Sequence, residues 1–153
     1  MNFDDLVAKA LEHIEELFPW DLEEALKAHP NTLLLDVREP DEFNTMHIRN
    51  SINVPRGILE SACEYDYEDT VPDLVEARDR DIVVICRSGK RSALAADTMR
   101  QLGYTTTKSL KTGLRGWSDY ELELINVTGD VIGEDEADDY FTPRLRPDQL
   151  SKK

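Results

Sequence analysis

Cys86 is followed by Arg87-Ser88-Gly89-Lys90-Arg91, which places three cations, a hydroxyl and a glycine within five residues of a thiol. Neighbouring cations and a helix N-terminus favour the thiolate over the thiol, and the thiolate is the nucleophilic form. The same cations would draw in an anionic substrate and stabilise the charge on a leaving group. The chemistry expected is therefore covalent catalysis by sulfur, with Cys86 as nucleophile and Arg87, Ser88, Gly89, Lys90 and Arg91 as the substrate-binding loop.

Ile82-Val83-Val84-Ile85 leads into the cysteine. Such a short unbroken β-branched run reads as a strand buried on both faces, the kind that parallel sheets contain. Gly89 lets the loop turn tightly, so that its amides converge on one point, as anion sites require. Ser92 is the expected N-cap of an Ala/Leu-rich helix that runs to Leu102 and stops at Gly103. The thiol is thus expected at the carboxyl end of a strand, facing a helix N-terminus.

These residues resemble the active-site loop of the rhodanese sulfurtransferases. From Cys86 to Arg91 the loop has six residues, and in that family the six-residue length goes with sulfur as the bound atom. The related cell-cycle phosphatases and arsenate reductases carry a longer loop. The likeness extends from about Pro19 to Ile125. It includes Leu33-Leu34-Leu35-Asp36-Val37-Arg38-Glu39, Glu42-Phe43, His47-Ile48 and Ser51-Ile52-Asn53-Val54-Pro55 upstream, and Leu110-Lys111-Thr112-Gly113-Leu114-Arg115-Gly116-Trp117 downstream. Two departures stand out. Met46-His47-Ile48-Arg49-Asn50-Ser51 lacks the glycines and proline usual there, and Thr112 replaces one of a glycine pair. The resemblance implies an α/β fold: an open parallel sheet of about five strands with helices on both faces, to which this chain adds an N-terminal helical extension. It also implies that Asp36 and Arg38 hold the scaffold. His47 is a candidate acid or base by its chemistry alone, and packing beside Ile48 is the better-supported reading.

The chain of 153 residues is sufficient for one ordinary core. Residues 1–18 are expected as an amphipathic helix, since Phe3, Leu6, Val7, Ala10, Leu11, Ile14, Leu17 and Phe18 recur at steps of three and four. Its apolar face is expected against its own domain, with a homodimer contact as the lesser alternative. Residues 19–125 form the expected catalytic domain, within which Asp21 caps a short helix, 32–37 and 52–54 are strands, and 58–80 is an acidic helical region. Arg56 and Arg115 are second-rank cations for the site rim. Trp117 walls the site or the core, and Cys63 is a bystander more often than a resolving thiol. Residues 126–153, acidic and punctuated by Pro143 and Pro147, read as a loosely attached tail with a few apolar residues that either wraps the domain or binds a partner.

Formal net charge is −14, from 32 acidic and 18 basic residues. That argues against unaided binding to nucleic acid or an anionic membrane. No apolar run approaches the roughly 18 residues that span a bilayer. No secretory signal is visible and two cysteines make no disulfide framework, so a cytoplasmic location is expected. No cofactor or metal is implied. The expected partners are a small anionic sulfur donor and a thiophilic acceptor, which could be a protein. The rival readings are a protein-interaction or sulfur-relay module and, behind it, a phosphatase or arsenate reductase.

Overall fold

The computed structural model describes residues 1–152. In chain order its elements are α1 (Phe3–Leu11), β1 (Glu15–Leu17), α2 (Pro19–Ala28), β2 (Leu33–Asp36), α3 (Pro40–Thr45), β3 (Ile52–Asn53), α4 (Leu59–Ala62), α5 (Pro72–Val75), β4 (Ile82–Ile85), α6 (Lys90–Gln101), β5 (Thr107–Leu110), α7 (Gly113–Asp119) and α8 (Glu134–Phe141). Among the described residues the five strands pair in the order β1-β5-β4-β2-β3, all parallel. Parallel neighbours need crossovers, and the helices supply them on both faces. No described helix is long and apolar enough to cross a membrane.

Side-chain alternation along the two central strands divides the core. Leu33, Leu35, Ile82, Val84 and Cys86 face one layer, where Leu59, Ala62, Leu74, Ala96 and Met99 pack. Leu34, Val83 and Ile85 face the other, against Leu22, Leu110, Leu114, Trp117 and Phe141. Every residue of β2 and β4 is buried, as a strand covered on both sides must be. Cys86 therefore leaves β4 on the side that α6 covers.

Several local expectations are corrected. The first helix ends at Leu11, and Glu15–Leu17 forms the edge strand beside β5. Ile14 and Leu17 fit a helical stripe, yet each packs against a different layer of the core. Unpaired backbone at the open edge of β5 favours the strand. Helix α2 begins at Pro19, and Asp21 sits inside it with its carboxylate accepting from the Phe18 amide at 3.2 Å. The region 58–80 contains only the single turns α4 and α5, since clustered acidic and turn-forming residues between them do not sustain a helix. Gly113-Leu114-Arg115-Gly116-Trp117 begins α7.

The tail also differs from expectation. Its acidic stretch folds as α8, with Ala137 and Phe141 buried four residues apart on one face. That i, i+4 pair is enough to seat a two-turn helix on α7, and the carboxylates point to solvent.

Candidate active site

Gly89, at φ +94°, precedes the first residue of α6, so Gly89 and not Ser92 is the cap. Ser92 lies inside the first turn, and its amide is aimed back at the cysteine. Cys86 Sγ accepts from the Gly89 amide at 3.1 Å and from the Ser92 amide at 3.3 Å. As a thiol it donates to Ser92 Oγ at 3.3 Å, and Ser92 Oγ lies 2.8 Å from Ser109 Oγ on β5. Two amide donors thus converge on the sulfur, which is the geometry of an anion site. Ser88 sits exposed at the loop tip. The thiol itself is 1% exposed, so the loop folds over the nucleophile.

The loop is clamped from behind by the start of α7. Leu114 donates its amide to the Cys86 carbonyl at 2.9 Å, and Arg115 donates its own to the Arg87 carbonyl at 3.0 Å. Gly113 makes this approach feasible. It has φ +61°, and a Cβ there would fall 2.5 Å from the Arg87 carbonyl and 2.6 Å from the Cys86 oxygen.

Each of the three loop cations meets a different element. Arg91 forms two 2.9 Å hydrogen bonds with Glu42 of α3. Burial opposes ionisation of Glu42, but hydrogen bonds from Arg91 and from the Glu39 amide outweigh it and hold the carboxyl below its usual value. The Glu42 hydrogen bonds in turn raise the Arg91 guanidinium above its own usual value. Lys90 pairs with Asp4 of α1 at 2.7 Å and lies 5.5 Å from the centre of the Phe3 ring. Arg87 donates to the carbonyl oxygen of Phe141, the last residue of α8, at 2.9 Å.

The remaining candidates divide as follows. Asp36 and Arg38 form a fully buried pair, with Nη2 to Oδ2 at 2.9 Å and Nη2 to the Met46 carbonyl at 2.7 Å. They hold the carboxyl ends of the central strands, the role the resemblance implied. His47 stacks on Phe43 with ring centres 3.8 Å apart and its Nδ1 is 2.7 Å from the Phe43 carbonyl, a packing role. Arg56 is engaged by Glu60 and Thr98 and is not brought to the loop. Arg115 serves the loop through its amide, while its side chain stays exposed. Trp117 belongs to the core, donating Nε1 to the Glu123 carbonyl at 2.9 Å. Cys63 and Cys86 are both free thiols, and burial pushes the Cys63 thiol up.

Sequence reasoning missed Asp4, Glu42, Ser109 and the Phe141 carbonyl as participants. Ser109 had a signal: it is a hydroxyl placed next to Leu110 in a strand whose interior must be buried. Glu42 stands in the Glu42-Phe43 motif that carries the resemblance, whereas Asp4 and the Phe141 carbonyl are long-range partners with no local signature.

The Rhodanese-like domain model matches residues 19–120. The chain belongs to that family. A rhodanese relative from Schizosaccharomyces pombe, a mitochondrial protein named for thiosulfate sulfurtransferase activity, is 38% identical over 92 residues, covering 58% of this chain and 65% of that one. The thiosulfate:glutathione sulfurtransferase of Saccharomyces cerevisiae is 29% identical over 122 residues, covering 76% of this chain and 86% of that one. Among solved structures, a Rhodopseudomonas palustris protein of unknown function, described as a possible tyrosine phosphatase, superposes with a TM-score of 0.72 at 25% identity. That superposition covers 86% of this chain and 95% of that one. The chain spans less than two thirds of the length of the fission-yeast relative, and only 25% of a Drosophila virilis adenylyltransferase and sulfurtransferase, MOCS3.

Proposed function

We propose that this rhodanese-family protein transfers a sulfane sulfur from thiosulfate, or a donor like it, to a thiophilic acceptor through a Cys86 persulfide. The observation that carries the reading is the pair of amide donors, from Gly89 and Ser92, on Cys86 Sγ within a six-residue loop. The thiolate attacks the outer sulfur of thiosulfate. A Cys86 sulfur–sulfur bond forms, the donor's sulfur–sulfur bond breaks, and sulfite leaves with the electron pair. The same amides that hold the thiolate then hold the terminal sulfur anion, in the manner of an oxyanion hole. A nucleophile (cyanide in an assay, a small-molecule or protein thiol in a cell) takes the outer sulfur and returns Cys86 as thiolate. No step requires a metal or organic cofactor.

The test is intact mass after incubation with thiosulfate, on the wild type and on Cys86→Ala. The expected result is a gain of one sulfur, reversed by cyanide and absent in the variant. No gain on a demonstrably reduced Cys86, together with hydrolysis of an aryl phosphate, would replace the reading with the phosphatase one. No gain and no hydrolysis would leave a protein-interaction module.

A further inference from the structure

We propose that Ser92 and Ser109 form a hydrogen-bond relay fitted to a Cys86 sulfur that carries no hydrogen, with Ser92 touching the reacting atom and Ser109 positioning Ser92 from behind. The proposal deepens the sulfurtransferase reading and rests on it for the reaction served. Cys86 Sγ lies 3.3 Å from Ser92 Oγ, and Ser92 Oγ lies 2.8 Å from Ser109 Oγ on β5. Cys86 is 1% exposed and both serines are 0% exposed, so bulk water neither donates nor accepts there. Among the described residues, Ser92 Oγ is the one hydrogen-bond partner of Ser109 Oγ. Thr107, two residues back on the same face of β5, has a buried hydroxyl oxygen with no partner, so it does not extend the relay.

The relay has two links, and each link holds one hydrogen. With Cys86 as a thiol, three hydrogens compete for them. The S–H fills the first link, the Ser92 hydroxyl fills the second, and the Ser109 hydroxyl is buried without an acceptor. With a sulfur that carries no hydrogen, donors and acceptors match: Ser109 donates to Ser92, and Ser92 donates to Sγ. The Gly89 and Ser92 amides add two further donors to the same sulfur. An orphaned buried hydroxyl is costly, and hydrogen bonds to an anion are the strong ones. The match persists in the persulfide, where Sγ bears the transferred sulfur and again no hydrogen. Attack forms that Sγ–S bond, breaks the donor's sulfur–sulfur bond and releases sulfite with the electron pair. No proton enters or leaves Cys86, and the relay keeps one hydrogen-bond direction throughout the cycle.

The experiment follows iodoacetamide alkylation of Cys86 across pH, read by peptide mass, on full-length wild type, Ser92→Ala, Ser109→Ala and the double variant. At neutral pH Ser92→Ala should alkylate about tenfold more slowly than wild type, and Ser109→Ala about threefold more slowly. The double variant should match Ser92→Ala within about twofold, because Ser109 acts only through Ser92. Every deficit should close as pH rises above the ordinary thiol range, where the sulfur ionises without help. The charged groups of the neighbouring elements are common to all four proteins: Asp36 and Arg38 at the end of β2, Glu42 on α3, Lys90 and Arg91 on α6, and Arg115 on α7. Losses that add in the double variant, or that persist at high pH, would reduce the serines to structural residues, and wild-type rates would overturn the relay outright. Where a variant fails to fold, the wild type decides: its ultraviolet thiolate absorbance, taken against Cys86→Ala, should be present at neutral pH, and its absence overturns the relay. Cys63 does not confuse that reading, since burial pushes its thiol up. Intact mass after thiosulfate tests the reaction separately. Should wild-type Cys86 alkylate yet gain no sulfur, the sulfurtransferase reading fails, while the relay stands or falls by the alkylation series alone.

Discussion

Glu42 receives Arg91 through two hydrogen bonds of 2.9 Å, so the last cation of the cysteine loop is bound to the helix that follows β2. The folded state holds the Glu42 carboxyl below its ordinary value of 4.5. A depressed acid contributes stability that is complete above its unfolded value and is lost as pH falls through the folded one. Glu42→Gln should therefore lower stability at neutral pH, by about 1–2 kcal/mol for a partly buried charge-assisted pair. The gap between variant and wild type should close as pH falls below the ordinary carboxylate range. Urea denaturation at a series of pH values measures both, and a gap that stayed constant with pH would show that the pair contributes no charge-linked stability.

Gly113 is where α7 meets the backbone of the cysteine loop. A methyl group there meets the Arg87 carbonyl, and the positive φ disfavours any L side chain. Gly113→Ala should cost about 2 kcal/mol or more in stability. Because the clamp on Cys86 and Arg87 loosens, it should also slow persulfide formation far beyond the effect of a surface change of similar cost. Stopped-flow kinetics on the folded variant, paired with its unfolding midpoint, separates the two effects. A variant as fast as wild type would mean that the clamp is dispensable.

Thr112 occupies the left-handed region at φ +67°. A β-branched side chain is poorly suited to that conformation. Thr112→Gly should raise stability by about 1 kcal/mol, the relief of strain exceeding the added freedom of the unfolded chain. Thermal unfolding of the pair checks the sign. A loss would mean that the Thr112 contacts, which include its hydroxyl on the Lys111 carbonyl, outweigh the backbone strain.

The turn of the cysteine loop was legible because the strand, the glycine and the helix that form it are consecutive in the chain. Four β-branched residues make the strand, Gly89 supplies the positive φ, and α6 starts at once, so Cys86 could only sit at a strand end before converging amides. The scaffold role of Asp36 and Arg38 was legible only through the family resemblance, since two charged residues at a strand end read equally well as catalytic. What escaped has no local trace. Asp4 reaches Lys90 across 86 positions, and the Phe141 carbonyl reaches Arg87 across 54. Edge strand β1 escaped because three residues are too few to establish a period of two, while Ile14 and Leu17 also satisfy a period of 3.6. Acidity disguised α8: two buried residues among carboxylates suffice for a seated helix but read as a solvated tail.

Cys63 supplies the contrast for Cys86. Burial pushes its thiol up, only partly offset by the Tyr104 hydroxyl beside it, and it is fully enclosed in the core layer under α6. It lacks the amide cradle that Gly89 and Ser92 give Cys86. One equivalent of iodoacetamide at neutral pH should therefore label Cys86 first, with Cys63 labelled only when denaturant is added. Cys63→Ala should leave persulfide formation within about twofold of wild type and lower stability by about 1–2 kcal/mol, the cost of a small core cavity. Peptide mapping by mass spectrometry reads the first outcome and denaturant titration the second. If Cys63→Ala instead abolished turnover while leaving the first persulfide intact, Cys63 would be a resolving thiol. Its burial would then have to be relieved by an opening of α4 during each cycle.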